Sequence, residues 1–339
     1  MANFKNGQLL NSKYRAVLTG TGSFLPEKVL SNLDLEKLVD TSDEWIQTRT
    51  GIKNRRIADD DQTTATLAIE ASKRALEAAN IDAADLDMII CATITPEMTF
   101  PSTACFVQEG IGAIGCCAFD LQAACSGFTY GISVATSMIS SGMAKNILVI
   151  GVETLSRITS YQDRGSCILF GDGAGAAVFT AEETTENGVV YCDCGADGSG
   201  AETLICRAYG SRHPVGKELP NPDMIYMEIN GRETYNVATR QIVKSVKEAL
   251  KTLNVTIDDV DLVIPHQMNA RIMEAVVKRL KMPEEKMFSN IANYGNTSAA
   301  SIAIALDEAV RQGDIEKGDL VVLVAFGGGL TWGVNAFRY

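Results

Sequence analysis

The feature that most constrains this chain is an internal repeat. Residues Ile81–Ile90 (IDAADLDMII) align without gaps on Val255–Ile264 (VTIDDVDLVI), an offset of 174 residues. A fixed offset of this kind implies one structural unit used twice. The register holds upstream, where Ala75-Leu76 falls on Ala249-Leu250 and Asn80 on Asn254. Each half is therefore expected to run through a helix, an Asp-rich turn and a buried strand. Further along, Lys145–Gly151 (KNILVIG) resembles Asp319–Gly327 (DLVVLVAFG) across a two-residue gap. With Gly142 and Gly313 as anchors, Cys125 of the first half corresponds to Asn296 of the second. A duplicated fold would present them at equivalent turns near a pseudo-twofold axis, where a shared site can form.

The pattern around the repeat is α/β. The amphipathic stretch Thr64–Ala79 reads as a helix and is followed by the β-branched run Met88–Ala92. Strand-like runs recur at Ala16–Gly20, Asn146–Gly151, Ala174–Thr180, Leu262–Pro265 and Leu320–Ala325. A chain of 339 residues with 46% hydrophobic content can bury two cores of ordinary size. Two halves, 14–184 and 185–339, are expected. From Leu121 to Ala144 no residue is charged, but Gln122, the glycines and many hydroxyl residues leave it short of the ~20 apolar residues of a membrane span. It reads as a helix at the centre of the protein.

Composition narrows the function classes. A formal charge of −12 and a pI near 4.8 argue against nucleic acid, whose binders carry a basic footprint. Nine cysteines follow no regular framework, and MANFKNGQLL lacks the pattern of a signal peptide, so a reducing, cytoplasmic location is expected. Neither Cys116-Cys117 nor Cys192-x-Cys194 has zinc-ligand spacing, and no metal is expected. Gly171–Ala176 matches the dinucleotide pattern G-x-G-x-x-A, but the strand-like Ala177–Thr180 follows it where a helix is required. No NAD site is expected.

Cys125 lies between a strand-like segment (Ala118–Leu121) and a helix beginning near Ser126. At a helix N-terminus the unpaired N–H groups and the dipole favour a thiolate. A small buried structural cysteine is the ordinary alternative. A cysteine nucleophile needs a partner, and the chain has two histidines. His213 falls in the polar, loop-like stretch Gly210–Pro222, whereas His266 ends a predicted strand, where α/β folds place functional groups. In NYGNTSAAS (Asn293–Ser301), Asn296 could offer its amide to an oxyanion, although Asn-Thr-Ser is also an ordinary turn. The run Phe326-Gly327-Gly328-Gly329 follows the last predicted strand and lets backbone N–H groups approach a ligand.

Together these segments resemble β-ketoacyl-acyl carrier protein synthase III, the thiolase-fold enzyme that initiates type II fatty acid synthesis. The resemblance runs from about Tyr14 to Tyr339. It is carried by Thr41–Ile52 (TSDEWIQTRTGI), Ala118–Tyr130 (AFDLQAACSGFTY), Phe170–Ala177 (FGDGAGAA), Pro265–Ile272 (PHQMNARI), Asn293–Ser301 and Ala325–Gly333 (AFGGGLTWG). It implies a layered α-β-α-β-α architecture and a ping-pong reaction without metal or redox cofactor. Cys125 would take an acyl group from acyl-CoA, with the N–H groups of Cys125 and Gly328 as oxyanion donors. His266 and Asn296 would then hold the thioester of malonyl-acyl carrier protein through decarboxylation and condensation.

The same resemblance assigns CoA contacts to Thr41, Trp45, Arg49, Arg164, Gly231 and Asn269, with the adenine between Trp45 and Arg164. Trp45 and Arg49 are four residues apart and share a helix face. It assigns the acyl pocket to Phe100, Phe170, Ile229 and Phe326, Phe100 reaching across a homodimer interface. Arg271 matches a carrier-protein docking arginine, and Lys278, Arg279 and Lys281 extend a local basic surface suited to an acidic carrier. Two departures are visible: Met268 stands where the family usually has alanine, and the loop Gly198–Asp223 looks longer than usual. A degradative thiolase would need a second catalytic cysteine near the C-terminus, but the last is Cys206; an elongating synthase would need two active-site histidines. A Cys-His hydrolase lacks an acidic orienter for His266. The main alternative is a same-fold synthase making a quinolone or polyketide starter.

Overall fold

The computed structural model describes residues 8–9, 13–184 and 186–339. Two five-stranded sheets dominate it. The first has the spatial order Arg15–Phe24, Asp172–Glu182, Asn146–Thr154, Met88–Ala92, Cys117–Leu121. The second runs Gln8–Leu9, Gly188–Ala196, Thr331–Arg338, Leu320–Gly327, Leu262–Pro265. In each, the strand that precedes the antiparallel return pairs in parallel with the strand carrying the sequence repeat: Met88–Ala92 with Asn146–Thr154, and Leu262–Pro265 with Leu320–Gly327. Apart from Gln8–Leu9, each sheet is built from one half of the sequence.

The two sheets enclose the helices Gly127–Ser140 and Ala300–Gln312, and Phe128, Ile132, Ile139, Ile302 and Leu306 form one core with residues of both sheets. On the outer face of the first sheet lie Thr64–Ala79 and Thr103–Ile111; on that of the second, Gly231–Leu253 and Ala270–Leu280. The result is the expected α-β-α-β-α layering. It explains the uninterrupted apolar strands, because a sheet covered on both faces has no polar side. In Asn146–Thr154, Ile147 and Val149 point into the central core while Leu148 and Ile150 enter the outer one.

The repeat is visible in the backbone. Asn80 and Asn254 both end helices in the left-handed conformation, with φ of 53° and 56°. Gly142 and Gly313 follow the two central helices with φ of 76° and 80°. The glycine-alanine run at 171–176 packs helix against sheet: a Cβ on Gly175 would fall 2.5 Å from the Ala303 carbonyl carbon. Most of that run lies in the strand Asp172–Glu182, so it has no helix N-terminus for a dinucleotide. Among the described residues no helix is long and apolar enough to cross a membrane.

Candidate active site

Cys125, His266 and Asn296 line one cavity of about 130 Å³, and 6%, 1% and 7% of each is exposed. Cys125 sits in a 3₁₀ turn (Ala124–Ser126) that enters the central helix Gly127–Ser140. His266 follows the strand Leu262–Pro265, held by its N–H to Val324 O at 2.8 Å. Asn296 bridges to the first half: its N–H donates to Leu169 O at 2.8 Å and its carbonyl accepts from Gly171 N–H at 3.0 Å. Ala124 and Gly295, each one residue before a member of the trio, have φ of 47° and 66°. The two turns share a positive φ but not a shape, since Gly295 has ψ of −155° and Asn296 bridges to Phe170 whereas Cys125 lies in a 3₁₀ turn.

Burial sets the electrostatics. It pushes the Cys125 thiol up to about 12, and the Ser298 hydroxyl and the N–H groups of Cys125 and Gly328 pull the other way without offsetting it. Ser298 Oγ is buried and short of a full hydrogen bond, though close enough to act on the sulfur. This corrects the expectation of a resident thiolate. A helix N-terminus contributes about 0.3–2 kcal/mol, at most roughly one and a half units at ~1.4 kcal/mol per unit, and desolvation is the larger effect here. Burial also pushes His266 down to about 3, so its ring is neutral at physiological pH.

Two polar groups are left open towards the cavity. Asn296 Oδ1 accepts from Ser298 N–H at 2.8 Å, which leaves the amide NH₂ as the end free to serve the cavity. His266 Nδ1 is 2.5 Å from Ser301 Oγ, while Nε2 is buried and without a partner. An unpartnered buried polar atom in a cavity marks a place for a ligand atom. Gly328, with Gly327, lines the cavity beside Cys125.

Phe170, Ile229 and Phe326 all line the cavity. Phe100 does not: within one chain it is 82% exposed and outside the cavity. The loop Gly198–Asp223 contains structure that its composition did not suggest. Leu204–Cys206 pairs with Met227–Ile229 in an antiparallel hairpin, setting Leu204 opposite Ile229 at the cavity wall. Leu204, Ile272 and Leu330 were missed because an apolar lining residue looks like any core residue in sequence. Met268 also lines the cavity.

Of the residues assigned to CoA, Gly231 and Asn269 line the cavity, and Asn269 Nδ2 donates to Arg49 O at 3.1 Å, tying the helix Asp43–Thr50 to its rim. Arg164 and Arg49 lie over the Trp45 ring at 4.8 and 5.5 Å from its centre, and Thr41 Oγ1 is buried without a partner. At 4.8 Å there is no room for a base between Trp45 and Arg164, since stacked rings need roughly 4.5–7 Å between neighbouring centroids. Arg271 is in the first turn of Ala270–Leu280, capped by Asn269 at the cavity. Lys278, Arg279 and Lys281 lie at its far end, and all four side chains are exposed. Among the described residues no group of three or more His, Cys, Asp or Glu is disposed to hold a metal ion.

Family models for 3-oxoacyl-[acyl-carrier-protein] synthase III and for its C-terminal part match residues 119–198 and 250–339. A β-ketoacyl-[acyl-carrier-protein] synthase III of Caldanaerobacter subterraneus subsp. tengcongensis is 52% identical, covering 96% of this chain and 98% of its own. The corresponding protein of Clostridioides difficile is 47% identical over 96% and 98%. Among solved structures, 3-oxoacyl-[acyl-carrier-protein] synthase III from Aquifex aeolicus VF5 superposes with a TM-score of 0.89 at 48% identity, over 96% of this chain and 100% of that one. The priming β-ketosynthase of the R1128 polyketide pathway gives 0.86 at 32% identity, over 98% and 96%. With the layered architecture and the buried Cys-His-Asn cavity, these likenesses show that the chain belongs to the 3-oxoacyl-[acyl-carrier-protein] synthase III family, condensing acyltransferases of the thiolase fold.

Proposed function

We propose that the chain condenses an acyl-CoA primer with malonyl-acyl carrier protein, using Cys125, His266 and Asn296. The observation that carries this reading is the meeting of a buried thiol with two neutral hydrogen-bond groups in one small cavity, His266 Nε2 being unpartnered. In the first half-reaction the Cys125 sulfur attacks the thioester carbonyl. The N–H groups of Cys125 and Gly328 hold the tetrahedral oxyanion, the carbon–sulfur bond to CoA breaks, and the thiol proton leaves on CoA.

In the second, malonyl-acyl carrier protein enters and its carboxylate departs as carbon dioxide, the bonding pair forming an enolate. His266 Nε2 and the Asn296 amide donate to the enolate oxygen. The enolate carbon then attacks the acyl carbonyl, the bond to Cys125 sulfur breaks, 3-oxoacyl-acyl carrier protein leaves, and the released thiolate takes a proton from solvent to restore the resting thiol. A neutral imidazole suits a donor role, and a histidine pushed down to about 3 would be a poor base for a thiol. No metal or redox group takes part in this scheme.

Trp45, Arg49, Arg164, Thr41, Gly231 and Asn269 would hold CoA, with Arg164 moving off Trp45 to admit the adenine. Arg271, aided by Lys278, Arg279 and Lys281, would dock the carrier protein. A homodimer would bring Phe100 of one chain to the cavity of the other, and the halves 14–184 and 185–339 would descend from one duplicated unit. The test is incubation with radiolabelled acetyl-CoA and malonyl-acyl carrier protein, comparing wild type with Cys125→Ala. Labelled 3-oxobutanoyl-acyl carrier protein that vanishes in the variant supports the reading; failure of any acyl-CoA to label Cys125 sinks it.

A further inference from the structure

Ser301 occupies the first turn of the central helix Ala300–Gln312 and is 2% exposed. Its hydroxyl oxygen is 2.5 Å from His266 Nδ1 and also accepts the backbone N–H of Gln267 at 3.3 Å. A hydroxyl has one proton to give, and Gln267 already fills one of its acceptor positions. The second acceptor position could take an Nδ1 proton, but the hydroxyl proton would then have no acceptor among the hydrogen bonds of the described residues, whereas Nδ1 as acceptor satisfies both groups. The imidazole proton then belongs on Nε2, the buried nitrogen without a partner.

We propose that Ser301 is the positioning residue that fixes His266 as the tautomer protonated on Nε2, so that a hydrogen-bond donor faces the cavity before substrate arrives. Which ring nitrogen carries the proton is set by the partner of the other one. The location of Ser301 reinforces this. The positive end of the helix disfavours an imidazolium beside it, in line with the low proton affinity that burial gives the ring. A wrong tautomer would present a lone pair to the thioester oxygen and repel it. The tautomer is a property of the resting chain, while its use in decarboxylation rests on the function proposed above.

The two parts are tested separately. The chain has two histidines, so His213→Gln with ¹⁵N-histidine labelling leaves one imidazole to be read by NMR. Ser301→Ala and Ser301→Thr are then made in that background. Wild-type Ser301 should give a pyrrole-like Nε2 and a pyridine-like Nδ1, Ser301→Ala a tautomer mixture, and Ser301→Thr a return toward the wild-type spectrum. A protonated Nδ1 in the protein with Ser301 intact overturns the proposal whatever its activity. In the half-reactions, Ser301→Ala should leave acyl transfer from acetyl-CoA to Cys125 within about twofold and slow carbon dioxide release from malonyl-acyl carrier protein about 10- to 100-fold, below the ~10²–10³ of losing an oxyanion donor outright. An equal fall in both, with a lowered Tm, would mark Ser301 as merely structural. If wild type performs neither half-reaction, the proposed function fails and the NMR result still decides the tautomer.

Discussion

A methyl group on Gly327 would lie 2.7 Å from the backbone nitrogen of Cys125 and 3.2 Å from its Cβ. The second half's glycine run is thus packed against the backbone of Cys125, and it brings the Gly328 N–H to the Cys125 sulfur. Gly327→Ala forces backbone atoms apart, and overpacking of this kind costs about 1–3 kcal/mol. The expected outcome is a stable protein whose acylation of Cys125 falls at least tenfold, because the two proposed oxyanion donors, the N–H groups of Cys125 and Gly328, are displaced together. Intact-protein mass spectrometry after acetyl-CoA treatment reads this directly; unchanged acylation contradicts it.

Asn296→Ala removes the amide donor and leaves the Ser298 N–H without its 2.8 Å acceptor. Condensation should fall about 10²–10³-fold, the usual cost of one oxyanion donor. Acyl-enzyme formation should persist, because in the proposed scheme the oxyanion of that step is held by Cys125 and Gly328 instead. Equal loss in both half-reactions would remove the division of labour.

Glu153 lies at 0% exposure on the strand below Cys125, hydrogen-bonded to Thr95 Oγ1 at 2.6 Å and to the Ile94 N–H at 3.1 Å. Burial pushes its carboxyl up to about 7. The folded state then holds a proton that the unfolded chain has released above about 4.5, so this group's contribution to stability is full below 4.5 and is lost as pH rises towards 7. His266, pushed down to about 3, acts in the opposite sense: its contribution is full above about 6.5 and is lost as pH falls towards 3. In wild type the two trends oppose each other between 4.5 and 6.5. In Glu153→Gln the first is gone, so the stability difference, wild type minus variant, should fall by up to about 3 kcal/mol from pH 4.5 to 7.5 at ~1.4 kcal/mol per unit. Urea titrations across that range check it, and a flat difference refutes it.

The stack of Arg164 on Trp45 at 4.8 Å must open if an adenine enters it. CoA should therefore change the fluorescence of Trp45, with Trp332→Phe used to remove the other indole. Arg164→Ala should raise KM for acetyl-CoA severalfold with little change in kcat, since uniform binding is lost. A fall in kcat alone would place Arg164 elsewhere in the cycle.

Arg271 is exposed one turn from the cavity rim. Arg271→Glu should raise KM for malonyl-acyl carrier protein at least tenfold, with a weaker effect at high salt, and leave acylation by acetyl-CoA unaltered. Lys278, Arg279 and Lys281 stand about 10–15 Å further along at 1.5 Å per residue, and reversing their charge should have a smaller effect, chiefly on the rate of encounter.

Much of this protein is determined by local sequence. The offset of 174 residues fixed the duplicated helix-turn-strand unit, because hydrophobic period and cap chemistry act over a few residues and repeat when the sequence repeats. Asn80 and Asn254 adopt left-handed caps because that conformation suits a short polar side chain. Cys125, His266 and Asn296 were nameable because few residues combine such chemistry with glycine-rich surroundings at strand and helix ends. Three things needed the folded chain. The proton affinity of Cys125 reversed from the expected direction, since desolvation depends on everything packed around a sulfur while a helix dipole is local. Leu204 reached the cavity through pairing with Ile229, a partner 25 positions away that composition does not specify. Ser301 gained its role only because the second sheet's His266 and the central helix meet at 2.5 Å; a serine in SAAS looks the same wherever the chain carries it, and only packing decides which nitrogen it faces.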